Sequence, residues 1–383
     1  MKKKNIKEIF IYLLIINLSI FATLYTFEYY LIYKKDIKLV YDNRSNLEVY
    51  KDLKKNNKNI RVSKSLATNW LIEERGFVPF AGVSKAKTLV CNENGYWSIV
   101  QSDRYGFNNP DTEWNKDQAD YVLLGDSFIY GSCVNRPYDI SSVLRDISGK
   151  TVINLGIGGT SILMQYAILR EYSPSKIKNL FVFYYEGNDN DNLYVESKKK
   201  LLKKYITQDN FSQNLIKNQD KIDITLLEYE DKKYKKEIEK LKKKKLYNKF
   251  LTIYYTRNLV KNYLFSNIYL QEKREVDKSF EIILKKLKNL STNKNLNLYF
   301  VYLPENLRYY NKSKYKNKNY NNIKEIVDSL NIEFVDIKKL FDASDNVLSF
   351  FSITQMGYGH YSIDGYKKVA EEIYNKSLLP LSK

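Results

Sequence analysis

Ser127 stands in the run Gly125-Asp126-Ser127-Phe128, directly after the apolar segment Tyr121-Val122-Leu123-Leu124. In an open parallel sheet the carboxyl ends of the strands are where reacting groups gather. A Ser in such a strand-to-helix turn exposes its hydroxyl while its own backbone N–H points toward an incoming carbonyl oxygen, the geometry acyl transfer needs. Taken alone, a Gly-Asp-Ser tripeptide equally describes a helix start capped by Ser or Asp. A second apolar run ends at Asn154-Leu155-Gly156-Ile157-Gly158-Gly159-Thr160, a glycine-rich loop whose spacing does not match the dinucleotide fingerprint. A third ends at Glu186-Gly187-Asn188-Asp189, where Asn188 brings an amide donor. The chain has one histidine, His360, in the glycine-containing run Gly357 to Gly365 just ahead of a C-terminal amphipathic stretch. A lone His is commonly structural, but one on the same sheet edge as a turn Ser is placed to act as general base.

These four blocks, in this order, resemble the SGNH (GDSL-type) hydrolase family from Asp120 to Leu379. The resemblance implies Ser127 as nucleophile and His360 as its base. It also implies an oxyanion hole made by the backbone N–H groups of Ser127 and Gly159 and the side chain of Asn188. Gly159 is taken over Gly156 and Gly158 because the family's block reads Asn-x-Gly-x-x-Gly. The sequence departs from the family at the third triad member, an Asp three residues before the His in most relatives, since Gly357 stands there. Two accounts are open: Asp342 or Asp345 reaches the imidazole from another point, or a Ser–His dyad uses a backbone carbonyl as acceptor for Nδ1. The Gly-Tyr-Gly lead-in, which lets backbone approach the ring, favours the dyad. No metal or organic cofactor is implied.

The elements that must position these residues are legible as short apolar runs alternating with helical patterns. Tyr121 to Leu124, Val152 to Leu155, Leu180 to Tyr185, Leu296 to Leu303 and Ile332 to Val335 read as strands buried on both faces. Ser161 to Tyr172, Asp277 to Leu290, Ile323 to Leu330 and Ile363 to Leu379 read as helices. The fold class is therefore α/β, expected as a flavodoxin-like three-layer sandwich around a parallel five-stranded sheet. Residues 191–274 are too long for one crossover and read as a helical insertion. Its Lys242 to Lys245 run reads as a solvated face or a contact for anionic lipid headgroups. The expected organisation is a cytoplasmic tail and transmembrane anchor over 1–33, a stalk or peripheral helix over 34–65, and a catalytic domain over 66–383.

The anchor reading rests on Ile9 to Phe27, an uncharged run about long enough to cross a ~30 Å hydrocarbon layer. Lys2, Lys3, Lys4 and Lys7 precede it, and no cleavage pattern follows, so the single-pass orientation puts the bulk outside the cytoplasm, periplasmic or on the cell surface. In that oxidising setting the only two cysteines, Cys91 and Cys133, are expected to form a disulfide. A formal charge of +19 raises nucleic acid as a partner. The excess is dispersed Lys without a recognition motif, so no nucleic-acid partner is expected. The segment Asp103 to Pro110 is open between a substrate-facing loop and a structural turn with Arg104 paired to a carboxylate. Together these readings describe a membrane-anchored serine esterase acting on an acyl ester, such as an acetyl ester of an envelope glycan. An O-acyltransferase for an envelope polysaccharide and a non-enzymatic binding scaffold of the same fold are the alternatives.

Overall fold

The computed structural model describes residues 3–37, 42, 44–63, 77–243, 251–253, 256, 257, 260, 274–310, 315, 317, 319–352 and 359–379. Among them, strands β1 (Ile60–Val62), β2 (Lys87–Leu89) and β3 (Ile99–Gln101) build a small sheet in which β2 runs parallel to β1 and antiparallel to β3. Strands β4 (Ala119–Leu124), β5 (Val152–Asn154), β6 (Ile177–Tyr185), β7 (Asn297–Leu303) and β8 (Glu333–Asp336) build a parallel sheet of order β5-β4-β6-β7-β8. Counted within that sheet the order is second, first, third, fourth, fifth, the flavodoxin-like arrangement. Strand order reverses between β4 and β6, so the crevice that such sheets use for ligands opens at the carboxyl ends of these two strands. Ser127 follows one of them and Asn188 the other.

The two-residue period of the strands divides their side chains between two cores. Val122, Leu124, Leu180, Val182 and Phe300 face one layer, packed with residues of helices Ile162–Tyr172, Ser279–Lys294 and Asn319–Ser329. Tyr121, Leu123, Phe181, Phe183 and Val301 face the other, packed with helices Ile140–Ser148 and Ile363–Leu378. Burying each such side chain contributes about 1.5–3 kcal/mol over leaving it in water, which is why these runs lack the polar alternation of a one-sided sheet.

The chain divides into two compact units, Met1–Asn43 with Glu230–Gln271, and Arg44–Tyr229 with Glu272–Lys383. In the first, helix Lys3–Ile37 contains an apolar stretch, Lys7–Leu31, long and apolar enough to cross a membrane. Its large side chains, Ile9 to Phe21 among them, are exposed. Glu28 of the same helix is buried, accepting hydrogen bonds from the backbone N–H and hydroxyl of Thr256 at 2.7 and 2.8 Å.

Two boundaries differ from the sequence reading. The second unit begins at Arg44 rather than near Leu66, which lies outside the described residues. Residues 46–56 form a helix closed by a Ser45/Glu48 capping box, burying Leu47, Val49 and Tyr50, and β1 follows it into the small sheet. The apolar positions are few and set among Lys and Asn, which left a stalk and a peripheral helix both open; the helix is what forms. The first part of the 191–274 region is also built into the core: Leu193, Leu202, Tyr205, Leu215, Ile222 and Leu226 are all buried. Glu196 there caps the helix Ile162–Tyr172, accepting from the N–H groups of Ser161 (2.6 Å) and Met164 (3.0 Å). Lys244 and Lys245 of the basic run lie outside the described residues.

The segment Asp103 to Pro110 is a structural brace. Buried Asp103 accepts from the N–H groups of Tyr105 (2.8 Å) and Phe107 (3.0 Å), from Asn109 (2.8 Å) and from the Trp114 indole (2.7 Å). Asn109 also exchanges two hydrogen bonds with the Asn154 backbone, at 2.8 and 2.9 Å, tying the loop to β5. Arg104 pairs with Asp111 through Nε and Nη2, both at 2.9 Å. Removing Asp103 strands several buried donors at once, so Asp103→Ala should cost about 3–5 kcal/mol in urea unfolding. Arg104→Ala, which breaks only a partly exposed ion pair, should change stability by less than about 1 kcal/mol and leave ester turnover within about twofold. A large turnover loss in the Arg104 variant would return the loop to the substrate.

Candidate active site

The turn after β4 is held open by close approaches that only glycine allows. A Cβ on Gly125 would lie 2.2 Å from Ile129, and one on Gly156 would lie 2.5 Å from the backbone N of Tyr130. Asp126 caps the short helix Ser127–Tyr130, its carboxylate accepting from the Phe128 N–H at 2.9 Å. Burial pushes the Asp126 carboxyl up to about 6, against the pull of that N–H and of His360. Its job is to shape the turn, and Ser127, partly exposed, is left projecting from it. Asn154 locks the neighbouring loop, accepting from Gly156 N–H (2.8 Å) and donating to the Ile129 carbonyl (2.5 Å).

His360 reaches this turn from the loop before the C-terminal helix. Its Nε2 lies 2.8 Å from the Ser127 hydroxyl oxygen. Its Nδ1 lies 3.1 Å from both carboxylate oxygens of Glu93, and its backbone N–H donates to Glu93 Oε2 at 2.6 Å. Ser352 donates to the same carboxylate at 3.3 Å. Burial alone would raise the Glu93 carboxyl, but the hydrogen bonds and charge of His360 together outweigh it and hold it below the usual carboxylate range. A carboxylate lowered in this way stabilises the fold above the ordinary carboxylate range, and loses that contribution as pH falls through its lowered value. Glu93 is therefore charged throughout the neutral range. The Phe128 ring, 4.9 Å from the imidazole between centroids, and Tyr361, whose hydroxyl donates to the Pro304 carbonyl at 2.8 Å, floor the site.

This overturns both sequence-based accounts of the third member. Nδ1 faces a carboxylate, so the arrangement is a triad rather than a dyad. Asp342 is exposed and pairs with Lys338 at 2.6 Å, and Asp345 is exposed. Gly357 lies outside the described residues. Glu93 comes from the loop between β2 and β3, some thirty residues before Ser127, where no pattern of strand and helix marks it. The available signal was its place two residues after Cys91.

That cysteine is joined to Cys133, with Cα atoms 5.0 Å apart. Cys133 is buried, six positions beyond Ser127, and its Sγ lies 3.5 Å from His360 Nδ1. Cys91, Cys133 and His360 are close enough to suggest a metal site, but with both sulfurs in the disulfide neither is a thiolate ligand.

Gly158 borders Ser127, since a Cβ on it would touch the Ser127 Cβ at 3.5 Å, and Gly159 is exposed at φ +79. Asn188 sits at the N-cap of helix Asp189–Glu196, exposed, with no side-chain capping bond. The turn that carries it is anchored by Glu186, a residue to which the sequence reading gave no role. Glu186 accepts from Arg308 Nε and Nη2 at 2.8 and 2.6 Å, from the Tyr302 hydroxyl at 2.6 Å and from the Glu305 N–H at 2.8 Å. This bidentate, buried pair ties the carboxyl ends of β6 and β7 together. Chemically, a hydroxyl bonded to an imidazole whose other nitrogen faces a carboxylate is equipped to attack a carbonyl carbon.

No family model matches the chain, and no curated protein matches it. Among solved structures it is similar to a lipase/acylhydrolase from Enterococcus faecalis, at 13% identity over 69% of this chain and 99% of that one, with a TM-score of 0.35. It is similar also to a putative lipolytic protein of the G-D-S-L family from Desulfitobacterium hafniense DCB-2, at 14% identity over 68% and 99% of the two chains, with a TM-score of 0.32. A third is the acetyl xylan esterase AlAXEase, at 12% identity over 67% and 98%, with a TM-score of 0.34.

Proposed function

We propose that this chain is a serine esterase in which Ser127 attacks the acyl carbon of an ester and His360 takes the hydroxyl proton. The observation that carries the reading is the relay from Ser127 Oγ through the two ring nitrogens of His360 to Glu93, with separations of 2.8 and 3.1 Å. In the first half-reaction the Ser127 oxygen bonds to the carbonyl carbon and the imidazolium returns its proton to the departing alcohol. In the second, water attacks the acyl-serine with His360 again as base, releasing the acid. The N–H groups of Ser127 and Gly159 and the Asn188 amide hold the oxyanion in both tetrahedral intermediates. The substrate we propose is an acetyl or other short acyl ester on a cell-envelope glycan, reached by a domain held outside the cytoplasm on the Lys7–Leu31 helix.

The detergent-solubilised full chain, incubated with p-nitrophenyl acetate and with an acetylated glycan, tests this. Acetate should appear from both, and Asn188→Ala should lower kcat by about two to three orders of magnitude with secondary structure unchanged. Acetyl transfer to added unmodified glycan in preference to water would make the chain a transferase. No acyl release from either substrate would make it a scaffold.

A further inference from the structure

We infer that the Cys91–Cys133 disulfide is a positioning device for His360, and that ester turnover requires the oxidised chain; this rests on the serine-esterase reading. The bond joins the two segments that flank the imidazole. Cys91 lies two residues before Glu93, and Cys133 lies six residues after Ser127 with its Sγ 3.5 Å from Nδ1. The loop that delivers Glu93 belongs to the small β1–β3 sheet, whereas Ser127 belongs to the large one. Ring and carboxylate therefore meet across a seam between two sheets.

Among the described residues, hydrogen bonds also close that seam beside Glu93. Asn94 donates to the Cys133 carbonyl at 3.1 Å, the Ile99 N–H donates to Asn135 at 2.8 Å, and Arg136 donates to the Gln101 carbonyl at 2.7 Å. The base of the loop is closed by Val90 N–H to Ser98 carbonyl and Ser98 N–H to Cys91 carbonyl, both at 2.9 Å. Those bonds keep the hairpin folded, and the hydrogen bonds of Glu93 with His360 and Ser352 hold its tip at the imidazole. The covalent link adds a fixed tether from that tip to the segment after Ser127, and Cys91, partly exposed, is open to a small reductant.

Reduction by dithiothreitol breaks the S–S bond. The disulfide gains two electrons and two protons to become two thiols, and the dithiol is oxidised to its cyclic disulfide. The Glu93 carboxylate then loses its fixed distance to Nδ1, and the imidazole its fixed tautomer. A displacement of about 1 Å in a positioning group can cost on the order of 10²-fold in rate. The loss should fall in kcat, because neither sulfur nor Glu93 contacts the ester.

The test compares the solubilised wild-type chain, the Cys91→Ser/Cys133→Ser double variant and Glu93→Gln, each before and after dithiothreitol, using p-nitrophenyl acetate. We expect reduction to lower wild-type kcat about ten- to a hundredfold with KM within about twofold, and reoxidation to restore it. The double variant should start at the reduced level and ignore the reductant, and Glu93→Gln, already slow, should lose less than about twofold more. Near-ultraviolet circular dichroism should stay native throughout. Full turnover in the reduced chain or the double variant overturns the inference while leaving the esterase standing. So does an equal further loss in Glu93→Gln, or a collapse of the native spectrum. If oxidised wild type shows no Ser127-dependent turnover, the esterase reading and this inference fall together.

Discussion

Glu93→Gln is expected to lower kcat roughly 10³- to 10⁴-fold with little change in KM, a large effect for a residue that never meets the substrate. The carboxylate accepts from Nδ1, which fixes Nε2 as the unprotonated nitrogen facing the Ser127 hydroxyl at 2.8 Å. A Gln amide turned with its NH2 toward Nδ1 reverses that tautomer, and an Nε2–H cannot receive a proton. The substitution also removes the negative charge that stabilises the imidazolium formed during attack. Asp342→Asn and Asp345→Asn serve as controls: both carboxylates are exposed, and each variant should keep turnover within about twofold. If Glu93→Gln stays within tenfold of wild type while retaining native circular dichroism, the orienting group is not a carboxylate and the Ser–His dyad returns.

How much of this was legible in the sequence follows from the range of the interactions. The five strands of the large sheet are apolar runs bounded by turn residues, and each appears within a few residues of its expected place, from Ala119–Leu124 to Glu333–Asp336. Ser127 and His360 were legible because each sits in a small-residue loop beside a strand or helix whose pattern is strong. Their meeting across 233 residues follows once the parallel order is assumed. Glu93 was not legible, because a three-residue strand on either side of it carries almost no period and its contact with His360 joins it to a loop far down the chain. The expected disulfide sets residue 91 beside residue 133, and Glu93 lies two places beyond Cys91. The brace around Asp103 was hidden for the same reason, since four donors converging on one buried carboxylate leave no local pattern.

The insertion and the N-terminal region were legible as candidate helices but not in how far they join the core. Lys and Asn dominate residues 44–63, yet a capping box and three buried side chains make Asn46–Asn56 a folded helix. In the region after β6, near-helical spacing was correctly a sign of helices, and Leu202, Tyr205 and Leu215 are fully buried, which the spacing alone does not show.

Ser127→Ala carries the largest expected effect, because it removes the atom that forms the acyl bond rather than one that assists it. Loss of a serine nucleophile should lower kcat by roughly five to six orders of magnitude. The measurement that tests the account most directly is covalent trapping. The solubilised chain is treated with a fluorophosphonate ester and the modified residue is mapped by peptide mass spectrometry. The account predicts one phosphonyl group per chain, on Ser127, with hydrolysis of p-nitrophenyl acetate lost in parallel, no label in Ser127→Ala, and labelling slowed about 10³-fold in Glu93→Gln. Label on any other residue, or ester hydrolysis by Ser127→Ala at the wild-type rate, would contradict it.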